Sequence, residues 1–218
     1  FLLYLLILVP FVMNGIRQGF AVSIVFFAYS YIIRGKPVKY IVTILVASLF
    51  HTSALALLPL YLLRFITVKK RIDAPFTLML SILLGTLTVI LIPVILAFIS
   101  VIPALSVYLR YEGWETGIGR LTLFLMAALA ITVIVSYRRL TYNYPTMQLM
   151  AALFFLEFAS VFLGGISAAF LRMSFYFAIG GLVYMANIPS IFSKDTRRII
   201  QFIIILYGVL YFTYFFYI

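Results

Sequence analysis

The chain has no cysteine, a single histidine and only five acidic residues among its 218. Without cysteine there are no disulfides, no thiolate metal sites and no cysteine nucleophile, and the redox compartment leaves no mark. One histidine and scattered carboxylates cannot build a histidine-rich metal centre, and no Walker sequence or HExxH motif is present. Gly117-Ile118-Gly119 lacks the third glycine and the preceding strand of a dinucleotide fingerprint, so it reads as a flexible loop. No metal and no cofactor are expected. Charge is scarce as well: 10% of residues are charged and 66% hydrophobic, with 22 Phe and 16 Tyr. With a mean hydropathy of +1.23 there is too little polar surface to cover a core, which excludes a water-soluble fold and makes the bilayer the solvent.

What is present is a succession of apolar segments with basic punctuation. A bilayer core about 30 Å thick needs about 20 apolar residues in a helix. Candidate segments occupy 1–13, 15–33, 40–63, 76–99, 119–137, 146–164, 170–190 and 199–217. The expected fold is therefore all-α: one polytopic helical membrane domain over residues 1–218 with seven or eight apolar segments. Phe1 lies inside an apolar run without an initiator Met or a basic n-region, which reads as the C-terminal part of a longer chain. Residues 100–118 hold two of the five acids, the only Trp and two Tyr, and form the expected extracytoplasmic loop.

The net charge of +11 would suggest nucleic acid in a soluble protein, but twelve of the sixteen basic residues fall into four clusters at segment ends. These are Arg34, Lys36 and Lys39; Arg64, Lys69, Lys70 and Arg71; Arg138 and Arg139; Lys194, Arg197 and Arg198. The positive-inside rule makes all four cytoplasmic, and no nucleic-acid partner is expected. Residues 40–63 then have cytoplasmic flanks on both sides, which one crossing cannot satisfy. Two readings fit. Either the segment re-enters, with His51-Thr52-Ser53 at its tip and arms of eleven residues reaching about 16 Å, or it crosses once with a basic flank outside.

Arg17, Arg110, Arg120 and Arg172 stand outside the clusters, and this topology places all four at the outer face. Anion binding accounts for such placement, because guanidinium matches phosphate oxygens bidentately and remains charged. Snorkelling to lipid headgroups is the alternative. Glu157 is the only acid within an apolar run; it needs a partner, for which Arg172 is the candidate, and either a structural ion pair or a catalytic role fits. His51 is either a hydrogen-bonded packing residue or a proton acceptor near pH 7. Tyr108, Tyr111 and Trp114 are best placed to stack on a sugar ring.

Asn14-Gly15-Ile16-Arg17-Gln18-Gly19-Phe20-Ala21 opens one segment, and Ala47-Ser48-Leu49-Phe50-His51-Thr52-Ser53-Ala54 follows about thirty residues later in the next. This pairing resembles the EpsG-like, Wzy-type family of bacterial exopolysaccharide and O-antigen polymerases. Arg172-Met173-Ser174-Phe175-Tyr176 is similar to the arginine-plus-aromatic helix start found late in such proteins. The resemblance implies a glycosyltransferase-type polymerase of the bacterial cytoplasmic membrane that joins polyprenyl-diphosphate-linked oligosaccharides at the outer leaflet. A chain-length regulator or a flippase of the same pathway would be its protein partner. Arg17 and Arg172, with Arg120 as a third, would grip the diphosphate; His51 or Glu157 would be the base; Gln18 and Ser53 would support them. A flippase of lipid-linked oligosaccharide and a membrane O-acyltransferase are the competing classes. A flippase needs charge along a path through both leaflets, whereas the unassigned charges here gather in the outer half.

Overall fold

The computed structural model of the chain describes residues 2–8, 15–67, 76, 79, 120–164 and 168–217, which are helical apart from short turns. In chain order the helices are α1 (Leu2–Ile7), α2 (Ile16–Arg34), α3 (Pro37–Phe50), a 3-10 helix (Thr52–Leu62) continuing into α4 (Leu63–Thr67), α5 (Arg120–Asn143), α6 (Met147–Leu163), α7 (Ala168–Asn187), a 3-10 turn (Ile188–Ile191) and α8 (Lys194–Tyr217). Three stretches, Ile16–Arg34, Phe124–Asn143 and Phe170–Ile191, are long and apolar enough to cross a membrane. Together with shorter apolar helices they make a polytopic helical membrane protein. The expected segment 76–99, apart from Phe76 and Met79, and the loop 100–118 lie outside the described residues.

The centre of the molecule is α6, where every residue from Met147 to Leu156 is buried. Its closest partner is α7, and two glycines explain the approach. A Cβ on Gly180 would stand 2.3 Å from the Leu153 Cβ, and one on Gly181 would stand 2.9 Å from Phe154 Cδ2. In lipid, where hydrophobic exclusion does not drive helices together, such small residues let backbones meet closely enough for packing to hold them. On α5 the charges Arg138 and Arg139 do not end the helix at 137, as the apolar run suggests; it continues to Asn143 and stops before Pro145. Charge ends burial in the bilayer, whereas proline ends the helix by disfavouring α geometry in the residue before it.

Residues 36–67 form a helical hairpin, the geometry that the re-entrant reading requires. α2 ends at Gly35, whose φ of 70° is left-handed, with Lys36 N–H donating to Tyr31 O and Gly35 N–H to Ile32 O. This Schellman turn and Pro37 at the first helical position reverse the chain into α3, antiparallel to α2. Phe50 stacks on Phe20 at 5.8 Å, so α3 climbs to within a turn of the start of α2. At His51 the backbone is extended, at φ −152° and ψ 112°, and the chain turns back. Tyr40 donates to Leu57 O at 2.7 Å, its ring lies 5.5 Å from that of Tyr61, and Arg64 Nη1 reaches Ile32 O and Ile33 O at 2.6 and 2.7 Å. Both ends of the segment thus lie at the Arg34 end of α2.

The hairpin is longer than equal α-helical arms from Tyr40 would make it. α3 begins at Pro37 and its 14 residues rise about 21 Å, while the 3-10 arm, at about 2.0 Å per residue, covers about 22 Å with 11. The greater rise per residue of the more tightly wound 3-10 helix lets a shorter arm match a longer one. Arg64 closes the device by donating to Ile33 O and by adding a second donor to Ile32 O, which already accepts from Gly35 N–H, with a cation where the helix dipole favours one. Gly35 is required twice there, since a Cβ would also meet the Arg64 Cζ at 2.6 Å.

Replacing Arg64 with Ala should destabilise the protein by about 1–3 kcal/mol, measured by unfolding in detergent, because two carbonyls lose a charged donor. Cysteines introduced singly at Lys36 and Phe65 should be labelled by an impermeant reagent from the same side of the membrane. Labelling from opposite sides would contradict the hairpin.

Candidate functional site

The hairpin tip meets the start of α7 beside the start of α2, at the end remote from Arg34. Gln18, buried in the first turn of α2, donates from Nε2 to Arg172 O at 2.7 Å. One turn further along α7, Tyr176 is fully buried; its hydroxyl shares a hydrogen bond of 3.0 Å with Ser53 Oγ, and its carbonyl accepts from Tyr29 OH at 2.9 Å. His51, half-buried between the two arms, belongs to none of the spanning helices. Burial and then the nearby Arg172 guanidinium lower its pKa below the ordinary value. Both effects favour the neutral imidazole, the form that can accept a proton.

Among the residues singled out in the sequence, the structure brings together His51, Ser53, Gln18 and Arg172. Arg17 stands one residue before Gln18 at the same end, exposed. Arg120 opens α5, and of its side chain nothing is described. Tyr108, Tyr111 and Trp114 lie outside the described residues, as does Arg110.

Glu157 does not join the cluster. Its Oε2 lies within 2.9 Å of the Cβ position of Gly181, nine residues or about 13 Å along α7 from Arg172. The expected pairing of Glu157 with Arg172 is corrected by the direction of the helices. Side chains lean towards the N-terminus of their own helix, so on antiparallel α6 and α7 Glu157 leans one way and Arg172 the other. The carboxyl instead borders a cavity of about 60 Å³ with Ser174, Thr122 and Tyr207, on a different side of α7 from His51.

Tyr176 joins the cluster, although in the sequence it is named only within the element Arg172–Tyr176 and is given no role. Its signal was the spacing from Arg172, since residues four apart share a helical face. That face bears Arg172 and Tyr176, while the neighbouring one bears Phe170, Met173 and Phe177, which line an apolar groove of about 410 Å³ against the 3-10 arm and α6. In a 3-10 helix residues three apart eclipse, so Ser53, Ala56, Pro59 and Leu62 form one row. The last three line the groove. One row therefore leads from the polar cluster into the groove.

A polytopic helical membrane protein with a polar cluster at the tip of a helical hairpin is the class defined by this arrangement. The model of the EpsG family matches residues 1–218, and the chain belongs to that family. Membership supports a polysaccharide-polymerase type of function, in exopolysaccharide biosynthesis. No curated protein and no solved structure matches the chain.

Tyr176→Phe, which removes only the hydroxyl held by Ser53, should leave the protein folded in detergent while reducing polymer formation several-fold. Gln18→Ala should do the same by freeing the start of α7, with intact melting behaviour separating either effect from misfolding.

Proposed function

We propose that this protein is a polysaccharide polymerase that joins polyprenyl-diphosphate-linked oligosaccharide repeat units at the outer face of the bacterial cytoplasmic membrane. The observation that carries the reading is that the hairpin tip bearing His51 and Ser53 is held against the turn of α7 that bears Arg172 and Tyr176, at the end of the helices opposite Arg34 and Arg64. The basic clusters orient the molecule with its basic end in the cytoplasm, which leaves the tip facing outward.

In the reaction a hydroxyl of the acceptor repeat unit loses its proton to the His51 imidazole as its oxygen attacks the anomeric carbon of the donor glycan. The bond from that carbon to the diphosphate oxygen breaks, and the diphosphate leaves with the electron pair. Negative charge grows on the leaving group, so Arg172, with Arg17 close by, stabilises the transition state more than the ground state. Ser53, Tyr176 and Gln18 hold the tip and the Arg172 turn in register. The apolar groove beside them would take the first isoprene units of the donor, leaving its sugars at the membrane surface. A flippase would need polar groups continuing towards the cytoplasm from this cluster. The groove that leads away from it has Ser160 as the one polar side chain among its lining residues.

Alanine replacements of Arg17, His51 and Arg172, made separately in the full-length protein, test the reading by polymer length. His51→Ala should lower polymerisation about 10²–10⁴-fold and Arg172→Ala about 10²–10³-fold with the protein still in the membrane. Normal long chains from all three variants would overturn it. The pH profile adds a second readout. With the pKa of His51 lowered, the base form persists into mildly acidic solution and activity falls only as pH drops through that lowered value. Arg172→Gln removes a charge that disfavours imidazolium, so the acid limb of its residual activity should move to higher pH.

A further inference from the structure

At the basic end of the molecule α5 and α8 stand apart. The space between them is an apolar groove of about 620 Å³, with Ile131 and Val135 of α5 on one wall, Ile200 and Ile203 of α8 on the other, and Ile188 and Ile191 along the floor. Arg139 lines this groove and also a neighbouring open pocket of about 560 Å³ that holds Arg138, Tyr142 and Asn143. Across the mouth, Arg197 donates from Nε to Pro189 O at 3.2 Å, which seats its guanidinium over the turn that forms the floor. Lys194 and Arg198 are exposed on the same first turns of α8. Asp195 is the single carboxylate on those turns, set against Arg138, Arg139, Lys194, Arg197 and Arg198.

We propose that this groove binds an anionic phospholipid of the cytoplasmic leaflet, with its acyl chains between α5 and α8 and its phosphate at Arg138 and Arg139. Two properties select that ligand. The walls are apolar at bilayer depth, which suits acyl chains and excludes a free anion. The mouth is cationic at the end that the positive-inside rule places in the cytoplasm, where anionic headgroups face basic side chains. Guanidinium forks match phosphate oxygens, and the N-terminal dipole of α8 adds to the attraction. A zwitterionic lipid would fill the same walls but bring its ammonium group to the arginines. The site is separate from the hairpin tip and does not depend on the polymerase reading. Its occupant would bridge α5, much of which faces outward, to the remainder of the bundle.

The full chain, purified in neutral detergent and stripped of lipid, would be titrated with phosphatidylglycerol, phosphatidylethanolamine or soluble glycerol phosphate. Bound lipid would be followed by native mass spectrometry and melting by thermal scan. Phosphatidylglycerol should be retained and should raise the melting temperature, the zwitterionic lipid should be retained weakly, and glycerol phosphate should have no effect. The double variant Arg138→Gln/Arg139→Gln should weaken phosphatidylglycerol retention about thirty-fold. Ala128 also lines this groove, and Ala128→Trp, which fills it without changing its charge, should abolish retention. Equal retention of both lipids, or unchanged retention by the double variant, would overturn the proposal. So would an Ala128→Trp protein that keeps its lipid but loses a dimer found in the parent, since the groove would then be a protein interface.

Discussion

Backbone that leaves its helical ladder among apolar side chains has no water to turn to, and the structure is organised around meeting that demand at the hairpin of residues 36–67. Arg64 is the centre of the solution. Its two bonds to Ile32 O and Ile33 O satisfy the end of α2 and fix the returning arm at the level where the outgoing arm began. Tyr40 serves the interior of the hairpin in the same way, by donating to Leu57 O. With the base of the hairpin fixed and both arms about equally long, the tip must arrive near the start of α2. The meeting of His51 and Ser53 with α7 follows from that length constraint.

Much of this was legible in the sequence because charge cannot be hidden in lipid. Basic residues on both sides of 40–63 are incompatible with one crossing under the positive-inside rule, and that conflict alone makes a hairpin one of the two readings. Gly35 and Pro37 mark the turn into it by their own backbone preferences. The depth of the tip was not legible, because apolar composition does not distinguish an α-helical arm from a 3-10 arm, and the two differ in rise by about a third.

The cluster itself was legible in part. Arg172 and His51 stand out as ionisable groups that the charge clusters do not account for, whereas Gln18 and Ser53 are marked by the family resemblance alone. Tyr176 does not stand out in a chain with 16 tyrosines, although its spacing from Arg172 marks it once the helix is known. Glu157 shows the converse difficulty. Sequence places it on the helix next to that of Arg172, but whether two side chains meet across an antiparallel pair depends on register and on the direction each leans. Gly180 and Gly181 set that register by admitting Leu153 and Phe154, and they bring Glu157 to the Gly181 level instead.

A cation beside an imidazole disfavours the protonated product, so the closeness of Arg172 to His51 works against a base in the empty site. On the proposed reading that cost disappears when substrate binds. Burial continues to disfavour imidazolium, but a diphosphate held by Arg172 offsets the part of the depression that the guanidinium adds, so proton acceptance by His51 becomes more favourable with donor in place. Further negative charge develops on the diphosphate as the glycosidic bond breaks, and it stabilises the imidazolium that forms at the same moment. Without donor, His51 is a poor base and an acceptor hydroxyl or water stays unactivated. The guanidinium that grips the leaving group would thus also set when the base can act, which ties activation of the nucleophile to the presence of a donor.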